Sequence, residues 1–273
     1  MSKEQWTTSV AAKWDDFPPQ AIPSYSEMAF YEQHLVARKK EKRDLLVGIL
    51  GSTPEFRDLC QRHDVSYRCI DFNPANFEAL RAFCPHKSKE RANALIVADW
   101  REMEMPERFD MILGDHVTSV IPTSDYDAMF LRLGRHLADG GAVYMKVAIR
   151  EDDMRPTHEQ AFSFWQSNWP HIDPFASAWR EVLLADYDFE ADHCHCATST
   201  MRLRESLEKG IISEYFFLSF KRRWDIVGDE FYIRVPRKDF LLETARRHFS
   251  SVEILDTGEP WYRGKLPIVA FQK

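Results

Sequence analysis

The central part of this chain alternates short apolar runs with helical patterns, and this alternation restricts the folds open to it. The apolar runs are LLVGIL (45–50), SYRCI (66–70), ALIVA (94–98), FDMILG (109–114) and AVYMKVAI (142–149). Between them, helical patterns run from Thr53 to about Arg62, from about Pro74 to Phe83, and over MFLRLGRHL. Strands that are apolar throughout are buried on both faces, as in a parallel sheet covered by helices. Right-handed crossovers then predict an α/β fold with a doubly wound, mostly parallel sheet.

The rest of the chain extends this core (44–150) at both ends. The segment 237–273 contains an amphipathic helical pattern and the strands SVEIL and KLPIVAFQ, which complete a predicted seven-stranded sheet. Residues 151–236 are helical in pattern and rich in aromatic residues, with a strand expected only at YFFLSF (215–220). Residues 1–43 form an N-terminal segment in which Met28, Tyr31 and Leu35 fall at helical spacing. We expect this segment and the insertion 151–236 to lie as lids over the working edge of the sheet.

Composition and charge exclude several classes of protein. The chain has 36 Lys and Arg against 43 Asp and Glu, a net charge of −7, which argues against a nucleic-acid binder. No apolar run approaches the roughly 18 residues that span a bilayer, so no membrane partner is expected. The first residues lack the pattern of a signal peptide. Five cysteines are an odd number in a chain of ordinary size, so a disulfide scaffold is not expected. We therefore expect a cytoplasmic protein.

Polar residues lie directly after the predicted strands. A doubly wound sheet binds its ligands at this edge, outside the carboxyl ends of the strands. The first strand is followed by the turn Gly51-Ser52-Thr53-Pro54-Glu55, and the second ends in Asp71, twenty residues beyond Gly51. An acidic residue at that distance is placed to bind both hydroxyls of a ribose. The third strand ends in Asp99-Trp100 and the fourth in Asp115-His116. Four such signals in register predict one nucleoside-binding site.

This register resembles the class I S-adenosylmethionine-dependent methyltransferases, in detail over residues 44–150 and more loosely over the C-terminal helix and strands. The matching segments are LLVGILGSTPE, SYRCIDFNP, ALIVADW, FDMILGDHV and LRLGRHLADGGAVYMKV. The resemblance implies a Rossmann-like core that binds S-adenosyl-L-methionine. It also implies an enzyme that transfers the methyl group by in-line displacement to an oxygen, nitrogen or sulfur atom of an acceptor.

The resemblance also implies roles for individual residues. The cofactor would bind along the turn at Gly51, Ser52, Thr53 and Glu55, with Asp71 on the ribose, Asp99 on the adenine amino group, and Trp100 or Phe72 on the adenine ring. Asp115 and His116 would lie near the transferred methyl group. His116 would act as a general base or orient the acceptor, or would be only a hydrogen-bonded loop histidine. Trp14 and Tyr31 of the N-terminal segment are further candidates to contact the cofactor.

Two departures from the family pattern shape the prediction. The family has three glycines at alternate positions, where this chain has Gly51, Thr53 and Glu55, and Ile49 replaces the usual carboxylate. The amino group of the methionine portion then needs another acceptor, from Glu55, Asp115 or the N-terminal segment. The fourth motif lacks the Asn/Asp-Pro-Pro-aromatic string of enzymes that methylate nucleobase or glutamine amino groups. Its absence and the negative charge favour a small-molecule acceptor.

Two other functions remain open from the sequence. One is an NAD(P)-dependent oxidoreductase on a similar sheet, although the first turn lacks the Gly-x-Gly-x-x-Gly that lets a pyrophosphate approach the helix. The other is a catalytically inactive protein that binds S-adenosylmethionine as a scaffold. The altered first motif permits this reading, whereas Asp71, Asp99 and Asp115 weigh against it.

Several residues that attract attention receive no functional role. The run Asp192-His193-Cys194-His195-Cys196 lacks the usual metal-ligand spacing, so no metal is expected. Cys60, Cys69 and Cys84 fall on core-facing patterns. Most aromatic residues between 162 and 189 are expected to pack in a core. Lys146 is expected to reach solvent from the end of its strand. The basic run 38–43 is interpreted as a solvated helix end.

Overall fold

The computed structural model describes residues 8–151 and 154–273 of the chain. The strands are β1 (Leu46–Leu50), β2 (Ser66–Asp71), β3 (Leu95–Val97), β4 (Phe109–Asp115), β5 (Leu137–Lys146), β6 (Cys194–His195), β7 (Tyr232–Ile233), β8 (Ser251–Leu255) and β9 (Ile268–Gln272). The first helices are α1 (Thr8–Ala11), α2 (Tyr25–Glu41), α3 (Pro54–Arg62), α4 (Pro74–Leu80), α5 (Val117–Val120) and α6 (Tyr126–His136). They are followed by α7 (His158–Asn168), α8 (Pro174–Ala185), α9 (Cys196–Glu208), α10 (Glu214–Val227) and α11 (Lys238–Ala245).

Seven of the strands form one sheet in the order β3-β2-β1-β4-β5-β9-β8. The pairs from β3 to β5 are parallel, and β9 is antiparallel to both of its neighbours, β5 and β8. The two-residue strands β6 and β7 pair separately. The predicted seven-stranded, mostly parallel sheet is thus confirmed. The strand order reverses between β1 and β4. From β1 the chain continues to β2 on one side, and from β4 it continues to β5 on the other side.

Helices cover both faces of the sheet, as continuous apolar strands require. On one face, Val47 and Ile49 of β1 pack in a core with α2, α3 and α4. On the other face, Ile112 of β4 and Val143 of β5 pack with α6 and α11. The side chains of each strand alternate between these two cores, which fixes the register of the sheet.

The insertion forms a third core next to the sheet. Its helices α7 to α10 bury Trp165, Phe175, Trp179 and Phe216, together with other residues of the same segment, and Tyr262 joins them from the C-terminal region. The N-terminal segment contributes α1 and α2, and its Trp14 packs against Leu80 of α4. Residues 1–7 of the predicted N-terminal segment and 152–153 of the insertion lie outside the described residues. Within the described chain, no helix is both long and apolar enough to cross a bilayer.

The strand predicted at YFFLSF (215–220) is wrong, because these residues belong to α10. Ser213 caps this helix by accepting a hydrogen bond from the Phe216 amide. Phe216, Phe220 and Trp224 are buried at a spacing of four residues, which places them on one helical face. The aromatic composition favoured a strand, but the apolar spacing over the full length of the segment is that of a helix.

The strand β5 also differs from its predicted bounds. It begins at Leu137, because the residues around Gly140 and Gly141 pair with β4 through an irregularity between Phe109 and Met111. A Cβ atom on Gly141 would lie 2.9 Å from the carbonyl oxygens of both Ala138 and Phe109. Gly141 therefore allows the two strands to approach closely, whereas Gly140 has open space around it and a φ of +69°.

We predict that Gly141→Ala lowers the free energy of unfolding by about 1–3 kcal/mol, the usual cost of overpacking a tight site. The backbone would have to shift, because both neighbouring atoms are carbonyl oxygens. Urea denaturation monitored by circular dichroism measures the change. Gly210→Asn is the control, since Gly210 has a φ of +69° and open space around it, a conformation that Asn tolerates. Equal stability of the two variants would contradict the packing described for Gly141.

Candidate active site

The turn after β1 forms the floor of a pocket at the carboxyl ends of the strands. Gly51 has a φ of +86°, a conformation that favours glycine. The backbone carbonyl of Ile70 accepts hydrogen bonds from the Gly51 amide at 2.9 Å and from Trp100 Nε1 at 2.6 Å. A Cβ atom on Gly51 would lie 3.7 Å from the Trp100 ring. The indole of Trp100 is therefore held against the turn.

Asp71 lies at the end of β2, next to this turn, and is buried. Its Oδ2 accepts a hydrogen bond from Ser52 Oγ at 2.7 Å, and its Oδ1 accepts one from the Asn73 amide at 2.9 Å. Burial raises the pKa of Asp71, and these two hydrogen bonds oppose that effect. Each carboxylate oxygen can accept a further hydrogen bond, so the group can still bind a ligand.

Asp99 is held by a neighbouring arginine. Arg101 donates from Nε to Asp99 Oδ1 at 2.9 Å and from one terminal nitrogen to Oδ2 at 2.6 Å. Its other terminal nitrogen donates to Asp125 at 2.7 Å. The hydrogen bonds to Asp99, and to a smaller extent the one to Asp125, raise the pKa of Arg101 above its usual value. This bidentate pair fixes the orientation of the Asp99 carboxylate at the rim of the pocket.

Asp115, at the end of β4, belongs to a buried ion cluster. Lys146 Nζ lies 3.0 Å from Asp115 Oδ1 and 3.3 Å from Glu27 Oε2, and the three side chains are at most 4% exposed. Lys146 also donates to the carbonyl of Ile22 at 2.9 Å. Burial alone would lower the pKa of Lys146, but Asp115 and Glu27 outweigh it and raise that pKa. The expectation that Lys146 reaches solvent is therefore wrong, because its partners come from α2 and β4.

His116 follows Asp115 with a φ of +53° and an engaged imidazole ring. Its Nε2 lies 2.7 Å from the carbonyl oxygen of Gln20, so this nitrogen carries the proton and donates it. Burial, together with the charge of Lys146, lowers the pKa of His116 to about 3. The ring also packs edge-on against Trp179 of α8, with centroids 5.6 Å apart. The imidazole is therefore neutral near physiological pH.

The N-terminal segment reaches the pocket through Trp14. Its Nε1 donates to Glu55 Oε1, in the first turn of α3, at 2.8 Å. Burial raises the pKa of Glu55 to about 7, although the hydrogen bond from Trp14 opposes this shift. Tyr31 instead lies in the core on α2, where its ring packs edge-on against Phe56 at 4.8 Å.

One pocket brings most of the predicted site residues together. Its wall contains Trp14, Gly51, Ser52, Thr53, Asp71, Phe72, Asp99, Trp100, Asp115 and His116, all of them predicted from the sequence. Glu55 and Tyr31 are absent from this wall, as is every described residue of the insertion 151–236. The wall also contains Arg101 and the apolar side chains of Val117, Val120 and Ile121, from α5 and its end.

Sequence reasoning missed two contributors, namely Lys146 and Arg101. The signal for Lys146 was available, since it is the one charged residue in the apolar run AVYMKVAI. A lysine at such a position is buried only with an ionic partner, and neither partner is adjacent to it in sequence.

The described residues contain no group of three His, Cys, Asp or Glu side chains arranged to hold a metal ion. Cys194 and Cys196 are buried in the core of the insertion, and Cys60, Cys69 and Cys84 are buried as expected.

We predict that Lys146→Met lowers the free energy of unfolding by about 3–5 kcal/mol, because it leaves two buried carboxylates without their cation. Lys238→Met is the matched control, since Lys238 pairs with Glu151 at the surface and such pairs contribute about 0–1 kcal/mol. Chemical denaturation of both variants measures the difference. A Lys146→Met protein as stable as the control would show that the cluster does not hold the fold.

Comparisons with known proteins bear on the fold. No protein-family model matches the sequence, and comparison with curated protein sequences gives no match. The structure of the PH0226 protein from Pyrococcus horikoshii OT3 is similar with a TM-score of 0.53 at 12% identity, over 95% of this chain and 98% of that one.

Two methyltransferase structures are similar at lower scores. The S-adenosylmethionine-dependent methyltransferase SibL has a TM-score of 0.48 at 14% identity, over 93% of this chain and 60% of its own. The CcbJ methyltransferase from Streptomyces caelestis has a TM-score of 0.46 at 11% identity, over 57% of this chain and 62% of its own. The chain thus spans less than two thirds of the length of these two proteins. Its strand order, with the single antiparallel strand β9, is that of a Rossmann-like α/β fold.

Proposed function

We propose that this protein is an S-adenosylmethionine-dependent methyltransferase that acts on a small organic acceptor. The observation that carries the proposal is the convergence of the Gly51 turn, Asp71, Asp99 and Asp115 on one pocket at the carboxyl ends of β1, β2, β3 and β4. In an open α/β sheet, this position next to the reversal of strand order is where ligands bind. The fold shared with class I methyltransferases supports the same assignment.

The residues present fit an adenosyl nucleoside. Asp71 retains acceptor capacity for ribose hydroxyls, and the positive φ of Gly51 lets the backbone lie close to a ligand. The flat rings of Phe72 and Trp100 and the apolar Val117 suit an adenine ring. Asp99, oriented by Arg101, is placed to accept a hydrogen bond from an amino group. We assign the adenosine half of the cofactor to these residues.

When bound, S-adenosylmethionine supplies an electrophilic methyl group on a sulfonium sulfur. The protein then has to align an acceptor for in-line attack and exclude water. Carbonyls of the N-terminal segment at Gln20 and Ile22 bond to His116 and Lys146, so this segment covers the ends of β4 and β5. We infer that residues 8–24 act as a lid over the pocket. The insertion supports that lid from the side through Trp179 against His116.

For His116 we propose an orienting role rather than general base catalysis. A pKa near 3 makes the ring a weak proton acceptor, and its N–H is committed to Gln20. Asp115 and Glu27 share the single cation Lys146, so the cluster as a whole carries a negative potential that a sulfonium favours. The acceptor is then a nucleophile that needs little help in losing a proton.

We also propose a cytoplasmic location, because all five cysteines are unpaired.

Binding of nucleosides tests the proposed function. We expect S-adenosylmethionine and S-adenosylhomocysteine, but not NAD(P), to raise the melting temperature in proportion to occupancy. Asp71→Asn should weaken binding of S-adenosylhomocysteine by about tenfold to a hundredfold, the effect of losing hydrogen bonds to a charged group. The exposed Asp139→Asn is the control. A shift with NAD(P) alone would favour an oxidoreductase, and binding without turnover over a broad acceptor panel would favour an inactive scaffold.

The pH dependence of methyl transfer tests the role of His116. Because its pKa lies near 3, the ring stays neutral above about pH 5, and we expect kcat/KM to show no ionisation of this residue between pH 5 and 8. His116→Gln, which keeps a hydrogen-bond donor for Gln20, should retain the pH profile and reduce the rate modestly. If the wild-type profile contains an ionisation near pH 6.5 that His116→Gln removes, the ring acts as a general base.

A further inference from the structure

The Glu55 side chain is half-buried, and its carboxyl group is only half satisfied. Its Oε1 accepts the hydrogen bond from Trp14, whereas its Oε2 is shielded from solvent and has no hydrogen-bond partner among the described residues. Such an oxygen is normally paired, and a native structure that leaves it unpaired calls for a missing partner. Trp14, Ser52 and Thr53 all line the pocket, so the carboxyl group lies directly behind its wall.

The charged surroundings of Glu55 favour a positively charged partner. Asp115 raises and Lys146 lowers its pKa, so both lie within electrostatic reach, and Glu27 pairs with the same lysine. The cluster thus contains three carboxyl groups and one ammonium group. The other titratable neighbour is Cys84, whose pKa burial raises to about 11, so this thiol is neutral. The carboxyl groups of the cluster therefore outnumber its cations, and Glu55 has no ion pair among the described residues.

Asp115 and Glu55 differ in what already binds them. Asp115 Oδ1 has a lysine 3.0 Å away, whereas the donor to Glu55 is a neutral indole. Ile49, which occupies the position of the family's usual carboxylate, is fully buried in the apolar core. Asp115 Oδ1 also lacks a hydrogen-bond partner, but its carboxylate has Lys146 as a counterion. Of the two carboxyl groups, Glu55 is therefore the one without an ion pair among the described residues. Its place in the first turn of α3 also suits a negative charge.

We propose that Glu55 is the specificity-determining residue that binds the α-ammonium group of the methionine portion of the cofactor, in place of the carboxylate lost at Ile49. The inference rests on the proposed function, since it assumes that the nucleoside is S-adenosylmethionine. The ammonium donates a hydrogen bond to Oε2, while Trp14 keeps its bond to Oε1. The cofactor then joins the lid residue Trp14 to α3 through one carboxylate.

This assignment makes cofactor affinity depend on pH. Glu55 has a pKa of about 7 in the free protein, and an adjacent ammonium lowers it. Below pH 7, binding must first displace a proton, so affinity rises with pH until the carboxyl group is fully ionised. Between pH 6 and pH 8 the ionised fraction increases about tenfold, and the affinity should increase by the same factor. A nucleoside without the ammonium should show no such rise.

The experiment is titration calorimetry of the full chain with S-adenosylhomocysteine, its desamino analogue and 5′-methylthioadenosine, at pH 6 and pH 8. We expect the wild type at pH 8 to bind S-adenosylhomocysteine at least tenfold more tightly than the desamino analogue. Glu55→Gln should lose most of this preference and the pH dependence, and should keep its affinity for 5′-methylthioadenosine within about twofold. Glu78→Gln, an exposed glutamate on α4, is the control and should behave as the wild type.

The possible results distinguish failure of the Glu55 assignment from failure of the proposed function. If Glu55→Gln keeps the full preference for S-adenosylhomocysteine, or if the wild type shows no preference over the desamino analogue, Glu55 does not bind the ammonium. If the wild type binds none of the three nucleosides, the proposed function fails instead. The wild-type comparison needs no variant, so it decides the matter even if Glu55→Gln does not fold.

Discussion

The parallel pairing of β1 with β2 and β4 is the constraint from which the site follows. Parallel strands end at the same edge of a sheet, so the residues after β1, β2, β3 and β4 meet although they are far apart in sequence. The backbone carbonyl of Ile70 in β2 joins two of these segments, because it accepts hydrogen bonds from both the Gly51 amide and Trp100 Nε1. The walls of the pocket are thus tied to the sheet itself, which gives a rigid base for binding a nucleoside.

The buried cluster of Lys146, Asp115 and Glu27 connects this base to the N-terminal segment through ionic contacts. Glu27 belongs to α2, and Lys146 also holds the Ile22 carbonyl, so the N-terminal segment and the sheet share one cation. A buried ion pair contributes little net stability but makes the loss of one partner costly. Such an arrangement specifies where the segment docks. It also places negative charge where we propose that a sulfonium and an ammonium bind.

The sequence predicted the fold well because apolar runs and strand-end polar residues are local signals. Asp71, Asp99 and Asp115 could be aligned from the strands that precede them. The burial of Lys146 could not be predicted in this way, because its partner Glu27 is 119 residues away and belongs to another layer. The helical state of residues 215–220 depended on spacing beyond the six residues considered. The clamp of Arg101 on Asp99 depends on side-chain geometry, which a strand pattern does not contain.

The central claim is that the strand-end carboxylates surround one adenosyl nucleoside. A crystal structure of the protein with S-adenosylhomocysteine tests this most directly. The account predicts density in the pocket, with the Asp71 carboxylate within about 3 Å of both ribose hydroxyls and the adenine beside Trp100. Density for the ligand elsewhere on the molecule, with Asp71 bonded only to Ser52 and Asn73, would contradict it.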